Sequence, residues 1–461
     1  MDNGILGAME AAVDVIAAVA SGAGSAAIGV VRLSGPGSWG IALSLCRDRT
    51  VPPPERHLAL SWLAEPRTGR LLDQAMTAFF AAGASYTGEE SVELYCHGGP
   101  ALLDRVLRAC LDGGARPARP GEFTRRAVAA GRLDLVQAEA VALLASAETD
   151  PALDAGLSAL SGRPSAEVSA AREALLDVLA DVEAALDHAE EDGVVVALDE
   201  VATRLVVQAE RLRGWWEAAR ALRPAVSGVR VALIGAPNAG KSSLFNALLG
   251  RDRAIVHAEA GTTRDVVGEM LPLAGAPCLV LDTAGLRDAG AGEVEAEGVL
   301  RAREAARDAD VVIHVVDGSG TAPSDGFTER VDIVAMTKAD LWPGKDPPRV
   351  DAPSGVPVVF TSARDGRGIE RLRALLADRA AAAVRSGDTA RAVVVGERQA
   401  QALHSALRCV EAAVEGQAGD APLEAVAAEL RRAVEHLGEI DGSRITDEVL
   451  DRIFSRFCLG K

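Results

Sequence analysis

The spacing of hydrophobic positions divides the chain into stretches of different character. The first 120 residues mix short β-branched runs, such as residues 28–33, with glycine and proline breaks and with helical segments such as residues 101–111. This mixture predicts an α/β domain. From about residue 127 to residue 220, apolar residues recur every three or four positions, and this spacing predicts long helices.

A second α/β pattern begins near residue 224. A short apolar strand is predicted at residues 231–234, and alternating strands and helices follow to about residue 379. Helical spacing then returns after residue 385. We predict an N-terminal α/β domain at residues 1–119. A helical domain in two parts is predicted at residues 120–223 and 381–461, and a second α/β domain, at residues 224–380, is inserted between those parts.

Composition narrows the class of protein. The chain has 461 residues, 49% hydrophobic and 25% charged, which predicts a globular protein of roughly two to four domains. Six scattered cysteines form no C-x-x-C pair, so neither a zinc site nor a disulfide framework is indicated. No apolar run reaches the about 18 residues that span a bilayer, and no basic segment precedes the apolar start. We therefore expect a cytoplasmic protein with no membrane contact.

The charge balance argues against a protein that binds nucleic acid unaided. The formal net charge is -18, so any nucleic-acid role needs a local basic patch or a basic partner. Only four of the 48 basic residues are lysines. Where arginine is the usual cation, a lysine marks a position that needs a compact ammonium, unless it stands there by chance. Three of the four lie in motifs described below; Lys345, in a proline-rich segment, does not.

Residues 235–242 read Gly-Ala-Pro-Asn-Ala-Gly-Lys-Ser and match the phosphate-binding loop G-x-x-x-x-G-K-[ST]. The predicted strand precedes this loop and a helical pattern follows it, which is the required context. Lys241 would bind the β- and γ-phosphates, and Ser242 would give a hydroxyl to Mg²⁺. The predicted phosphate contacts are Asn238, Ala239, Gly240, Lys241, Ser242 and Ser243.

Two segments match the switch regions of a GTPase. An apolar strand ends in Asp282-Thr-Ala-Gly285, where Asp282 would hold Mg²⁺ through water and the Gly285 N–H would sense the γ-phosphate. Upstream, residues 261–265 read Gly-Thr-Thr-Arg-Asp, and Thr263 would be a second Mg²⁺ ligand. The predicted nucleotide contacts in these segments are Gly261, Thr262, Thr263, Asp282, Thr283, Ala284 and Gly285.

The remaining motifs predict guanine as the base. Thr337-Lys338-Ala-Asp340 resembles the motif Asn-Lys-x-Asp, in which the aspartate accepts from the guanine N1–H and amino group and the lysine stem packs over the base. Thr337 departs from the usual asparagine, and threonine can make only part of the contacts that join the base loop to the phosphate loop. The loop near the guanine O6 is predicted at Ser362, Ala363 and Arg364.

Leu286 stands where Ras-like proteins have a glutamine that orients the attacking water. Leucine cannot orient water, so hydrolysis needs another route.

The two ends of the chain resemble one family. The N-terminal part carries Ser-Tyr-Thr-Gly-Glu-Glu at 85–90, His-Gly-Gly-Pro at 97–100, Ala-Arg-Pro-Gly-Glu-Phe at 118–123 and Leu-Asp-Leu-Val-Gln-Ala-Glu at 133–139, and the chain closes with Phe-Cys-Leu-Gly-Lys. These motifs resemble the MnmE family of tRNA wobble-uridine modification GTPases. The likeness covers essentially the whole chain.

The resemblance implies an architecture and a reaction. It implies a tetrahydrofolate-binding α/β domain that forms a homodimer, and a discontinuous helical domain into which a Ras-like GTPase domain is inserted. The implied partner is an FAD-containing flavoprotein, MnmG (GidA), in a heterotetramer. Together they would place an aminomethyl-type group on C5 of the wobble uridine of certain tRNAs, using 5-formyl- or 5,10-methylene-tetrahydrofolate.

The resemblance also implies how hydrolysis proceeds without the glutamine. Asn238 resembles the asparagine that helps to bind K⁺, and residues 257–262 would wrap the ion with carbonyl groups. A cation there could supply the charge that an arginine finger supplies elsewhere. Glu295 resembles the acid that positions the attacking water. The implied ion and nucleotide contacts in this segment are His257, Ala258, Glu259, Ala260, Gly261 and Thr262.

The folate contacts implied by the resemblance are Arg32, Glu93, Arg132 and Lys461. Taken alone, each of these would more often be a solvated surface charge. Cys458 near the terminus is a candidate catalytic nucleophile, beside Lys241 and Glu295 as catalytic residues; its alternative role is an apolar anchor for the tail.

Two other functions stay open at this stage. One is a ribosome-assembly GTPase of the Era type, which would usually carry a basic RNA-binding appendage. The other is a nucleotide-switched scaffold without chemistry of its own. Folate binding by the N-terminal domain would distinguish the first alternative from the modification GTPase.

Overall fold

The structure is a computed structural model that describes residues 14–22, 24–187, 198–250, 267–273, 276–282, 306–319, 330–342, 352–385, 393–394, 396–419, 421–458 and 460. The chain divides into two compact units. The first comprises Met1–Ala145, Gly156–Leu212 and Gln401–Lys461, and the second comprises Ser146–Ala155 and Arg213–Ala400.

The first unit contains a six-stranded sheet with the order β3-β4-β5-β2-β1-β6. Its strands are antiparallel neighbours except for the parallel pair β1–β6. Side chains alternate between the two faces of each strand, so Leu33 and Leu94 point into a core that α1 and α2 cover. The strands are β1 Ile16–Val19, β2 Ala26–Ser34, β3 Ala59–Ala64, β4 Leu71–Phe80, β5 Ser91–Gly98 and β6 Arg116–Pro117.

The opposite face of this sheet, here named the open face, carries large apolar side chains in contact with solvent. Ile28 is 61% exposed, Leu60 56%, Trp62 44% and Met76 42%. Leu60 and Met76 are direct cross-strand partners, and Met76 also pairs with Tyr95 on β5. The exposed residues therefore occupy neighbouring strands of one surface.

Helices form the rest of the first unit. α6 and α11, far apart in sequence, pack against each other, with ion pairs Arg172–Asp441 at 3.4 Å and Arg431–Glu183 at 2.8 Å. The prediction of one helical domain from two separate segments is confirmed. In the described part of the chain, no helix is long and apolar enough to cross a membrane. In the described residues of the whole chain, the α-helices are α1 Ser38–Leu45, α2 Pro100–Asp112, α3 Glu122–Ala129, α4 Leu135–Ser146, α5 Asp150–Leu160, α6 Arg163–Asp187, α7 Leu198–Ser227, α8 Lys241–Leu249, α9 Ile369–Arg385, α10 Glu397–Ala418, α11 Leu423–Asp441 and α12 Asp447–Phe454.

The second unit contains a six-stranded sheet with the order β12-β11-β10-β7-β9-β8. All neighbours are parallel except the edge pair β8–β9, which is antiparallel. The inserted α/β domain was predicted as alternating strands and helices, and the mostly parallel sheet confirms it. The strands are β7 Val229–Ile234, β8 Val267–Leu273, β9 Ala276–Asp282, β10 Val311–Asp317, β11 Ile333–Thr337 and β12 Val358–Phe360.

Candidate functional site

The loop between β7 and α8 has the backbone that a phosphate-binding loop requires. Gly235 has φ 146°, and a Cβ atom there would lie 2.1 Å from the Val315 carbonyl oxygen, so no side chain fits. Asn238 and Gly240 also have positive φ angles, 62° and 94°. Helix α8 begins at the next residue, and its first N–H groups have no partner within the helix. This loop is therefore a ready site for phosphate groups.

Lys241 lies over this loop. Its Nζ donates to the carbonyl oxygens of Gly235 and Ala236, both at 2.8 Å, and the residue is only 9% exposed. The ammonium is therefore held over the loop that would surround phosphates. Ser242 and Ser243 are exposed at the start of α8, whereas Ala239 is buried.

The sheet topology brings the second acidic motif to the same edge. β7 lies between β9 and β10, which is the point where the strand order reverses and where α/β sheets bind ligands. Asp282, the last residue of β9, is the register partner of Leu233 near the end of β7. The backbone of Asp282 is thus brought beside the phosphate loop, and its role near Mg²⁺ stays a prediction.

Thr337 joins the base loop to the phosphate loop. Its hydroxyl oxygen lies 2.5 Å from the carbonyl oxygen of Ala239 and 3.2 Å from that of Val316. A hydroxyl has one proton, and the shorter distance assigns it to Ala239. Gly240 is close as well, because a Cβ there would lie 3.1 Å from the Thr337 hydroxyl oxygen. The threonine therefore makes the link for which the usual motif has asparagine.

Lys338 has a partner that the sequence reasoning missed. Its backbone is left-handed, with φ 56°, and its Nζ donates to Asp317 at 2.6 Å. Burial opposes ionisation of Asp317, but hydrogen bonds from Lys338 and Ser319 outweigh it and lower the pKa of this carboxyl. The acid fixes the lysine stem that would lie over the base. The sequence signal that could have identified Asp317 is its position at the end of the apolar run in β10.

Asp340 and the last predicted loop lie together. The Asp340 carboxylate is 3.9 Å from the guanidinium of Arg364, and the Ala339 N–H donates to the Thr361 carbonyl at 3.1 Å. Ser362 is fully buried, and its hydroxyl accepts the Arg364 N–H at 3.3 Å. Ala363 and Arg364 are exposed. The structure therefore brings together the two predicted base-contacting segments.

Several predicted residues lie outside the described part of the chain, as does Leu286. In the described residues, no group of three or more His, Cys, Asp or Glu side chains could hold a metal ion. The predicted site residues outside the described ranges are His257, Ala258, Glu259, Ala260, Gly261, Thr262, Thr263, Thr283, Ala284, Gly285, Glu295 and Lys461.

Two of the predicted folate contacts meet on the open face of the first sheet. Arg32 on β2 is the direct register partner of Glu93 on β5, and their side chains form an ion pair at 2.8 Å with exposures of 22% and 16%. Arg132 is exposed, and its stem lies against the turn at Gly88, where a Cβ would be 3.3 Å from the Arg132 Cγ.

The end of the chain lies against the same sheet. Phe457 is buried beside Phe454, with ring centroids 5.3 Å apart. Gly460 has φ 90°, and a Cβ there would lie 2.3 Å from the Val19 carbonyl oxygen. Val19 follows Ala18, the register partner of Arg32. The tail thus reaches the strand next to Arg32, while Cys458 is exposed with a free thiol.

The fold and the nucleotide site define a class of protein. A mostly parallel sheet carries a phosphate loop at the end of β7, and a Thr-Lys-x-Asp loop follows β11. This combination defines a GTPase of the P-loop class.

Comparisons with known proteins identify the family. The model of the TrmE N-terminus matches residues 15–132, and that of the MnmE helical domain matches residues 135–458. The tRNA modification GTPase MnmE of Methylorubrum populi is 41% identical over 97% of this chain and 98% of its own length. The MnmE of Thermus thermophilus is 40% identical over 97% and 99%. The chain belongs to the MnmE family of tRNA modification GTPases.

Among solved structures, the G domain of the T. maritima FeoB iron transporter is 29% identical over 33% of this chain and 98% of that chain. The TM-score of this match is 0.24.

Proposed function

We propose that this chain hydrolyses GTP to drive modification of tRNA. With an FAD-containing flavoprotein, MnmG (GidA), it would install an aminomethyl-type group on C5 of the wobble uridine of certain tRNAs. The observation that carries the proposal is identity of 40–41% with MnmE relatives over 97% of the chain. The geometry around Lys241 and Thr337 supports GTP as the nucleotide. The three domain boundaries read from the sequence, at 119/120, 223/224 and 380/381, are part of the same proposal.

Analysis of wobble uridines tests this function directly. Transfer RNA from cells that lack the gene would be digested to nucleosides and analysed by mass spectrometry. We expect the C5-modified uridine to be missing and to return when the gene is restored. A Lys241→Ala gene is the matched control and should not restore it, because the lysine binds the phosphates. Unchanged wobble uridines in the deletion cells would contradict the proposal.

The one-carbon unit is proposed to come from 5-formyl- or 5,10-methylene-tetrahydrofolate bound to the N-terminal domain. The ion pair on the open face supports this, since it presents charged groups to a polar ligand. The tail packed at Gly460 supports a role for the terminal lysine and for an exposed Cys458 as nucleophile nearby. The proposed folate contacts are Arg32, Glu93, Arg132 and Lys461.

Two cations are proposed at the nucleotide. Ser242 and Asn238 are both exposed at the phosphate loop, so their side-chain oxygens are open to ions, and this fits Mg²⁺ and K⁺ respectively. The further Mg²⁺ ligand would be Thr263, and Glu295 would position the attacking water. The proposed K⁺ contacts are Asn238, His257, Glu259 and Thr262.

The potassium proposal is tested by the rate of GTP hydrolysis in KCl and in NaCl at equal ionic strength. Because Leu286 cannot orient water, we expect much faster turnover in KCl. Asn238→Ala should remove most of the difference between the two salts, and Asn246→Ala, an exposed asparagine further along α8, should preserve it. Equal wild-type rates in the two salts would contradict a K⁺ site.

A homodimer through the N-terminal domain is proposed as the state that binds folate and, with the flavoprotein, forms a heterotetramer. The exposed apolar side chains of the open face support the dimer, since contiguous apolar surface commonly marks an interaction site.

A further inference from the structure

The carboxylate of Glu93 is held by two neighbours on the open face. Arg32 approaches its Oε1 atom with two nitrogens, Nε at 2.9 Å and Nη2 at 2.8 Å. Tyr95 lies two residues further along β5 and therefore on the same face. Its hydroxyl donates to the other oxygen, Oε2. Both oxygens of Glu93 are thus oriented by the protein.

Arg32 is in turn held between two aromatic rings. Its guanidinium carbon lies 5.5 Å from the centre of the Tyr86 ring and 5.6 Å from that of Phe123, within the range of cation–π attraction. Phe123 is fully buried, and the Tyr86 hydroxyl lies 2.9 Å from the Thr124 hydroxyl. The Arg32–Glu93 pair is therefore fixed from below by the strands and from the side by these rings.

The Tyr95 hydroxyl stays a donor across the physiological pH range. Burial, together with the hydrogen bond and negative charge of Glu93, raises the pKa of Tyr95 to about 12. An ionised carboxylate offers about four lone-pair positions. Arg32 Nε donates to Oε1, and Nη2 lies 2.8 Å from the same oxygen and covers it. Tyr95 takes one position on Oε2, so the accessible open position is on Oε2, beside the tyrosine hydroxyl.

We propose that Tyr95 is a positioning residue of the folate site, which orients Glu93 so that the open lone pair on Oε2 faces N–H donors of the pterin ring. The inference rests on the proposed function, because it takes tetrahydrofolate as the ligand. The pyrimidine part of a reduced pterin carries adjacent N–H donors, and hydrogen bonds to a carboxylate are strong and short.

A double-mutant cycle on the full-length protein tests this role. Binding of 5-formyltetrahydrofolate would be measured by calorimetry for the wild type, Tyr95→Phe, Glu93→Gln and the double variant. We expect Tyr95→Phe to raise the Kd about tenfold, because it removes one hydrogen bond to a charged group. In the Glu93→Gln background it should change the Kd less than about twofold. The amide has one acceptor oxygen, which Arg32 would take, so the tyrosine would have no carboxylate to orient.

The control removes a hydroxyl outside this cluster. Thr68→Val, in the turn between β3 and β4, removes a hydroxyl that donates to Glu65, so the Kd should change less than about twofold. Thermal unfolding would check that each variant is folded. A Tyr95→Phe protein that binds folate like the wild type would overturn the inference, as would a tenfold loss that persists with Glu93→Gln. If the wild type itself binds no 5-formyltetrahydrofolate, the folate part of the proposed function fails, and this inference with it.

Discussion

We propose that Asp340 determines which base the loop after β11 can accept. Its carboxylate is 18% exposed, and as an acceptor it matches the N1–H and amino group of guanine. We expect Asp340→Asn to shift the preference from guanine to xanthine nucleotides, because the amide presents a donor to the xanthine oxygen. Displacement of a fluorescent guanine nucleotide by GTP, XTP and ATP measures the preference. A wild type that binds ATP as tightly as GTP would contradict the assignment.

At the residue scale, motif residues were predictable and their local partners were not. Lys241 and Asp340 could be identified because a phosphate or a guanine edge demands those residue types at fixed spacing. Asp317 was missed because pairing of β10 with β11 brings it beside Lys338, and Tyr95 was missed because it acts through Glu93, two residues away on the same face of β5. The register that joins Arg32 to Glu93 follows from contacts between residues 61 positions apart, and a single sequence does not display such pairing.

At the element scale, Thr337 connects the loop after β7 to the loop after β11. Thr337→Val keeps the shape of the side chain and leaves the buried Ala239 carbonyl without its donor, which costs on the order of 1–3 kcal/mol. We expect GTP to bind about tenfold more weakly to this variant. Thr337→Ser keeps the hydroxyl and should bind within about threefold of the wild type. Affinities would be measured by titration with a fluorescent guanine nucleotide. Equal GTP affinities of the Thr337→Val and wild-type proteins would show that the hydrogen bond of Thr337 to Ala239 does not stabilise the site.

The two sheets differed in how well the sequence predicted them. In the second unit, β7 and β9 are short apolar runs that lead into recognisable motifs, so strand, loop and helix could be placed together. In the first unit, β3 and β4 have apolar residues on both faces, Leu60 and Trp62 on the open face and Leu63 in the core. Their pattern lacks the polar alternation that identifies a half-buried strand, and the strand order depends on contacts between distant segments.

At the scale of the whole molecule, the return of helical spacing near residue 385 was enough to predict a discontinuous helical domain, which the packing of α6 on α11 confirms. The resemblance implies Lys461 as a folate contact, and this predicts that the tail lies near Arg32 and Glu93. Gly460, near the end of the chain, contacts Val19 at the end of β1. No local sequence pattern predicts which strand the tail contacts. Gly460 makes this contact possible, because a glycine permits close backbone approach.

The tail prediction can be tested without disturbing the helices. Because Phe457 is buried against Phe454, the deletion should start after it, at Cys458. We expect removal of residues 458–461 to abolish C5 modification of wobble uridine in cells. The GTP hydrolysis rate of the purified protein should remain within about twofold, since no residue of the nucleotide site is removed. Gly460→Ala should have the same effect as the deletion, because its Cβ would lie 2.3 Å from the Val19 carbonyl oxygen.

Cys458→Ser separates the two roles that the tail could have. It preserves the backbone contact at Gly460 and removes only the thiol. If Cys458 is the nucleophile, modification of the wobble uridine should fall at least a hundredfold, on the order of the loss expected when a catalytic group is removed. The tail would keep its contact with Val19. If the tail acts only through the backbone contact of Gly460 with Val19, Cys458→Ser should retain most of the modification activity and Gly460→Ala should lose it. Full modification by the 458–461 deletion would contradict both roles, because neither the thiol nor the contact with Val19 would then be needed.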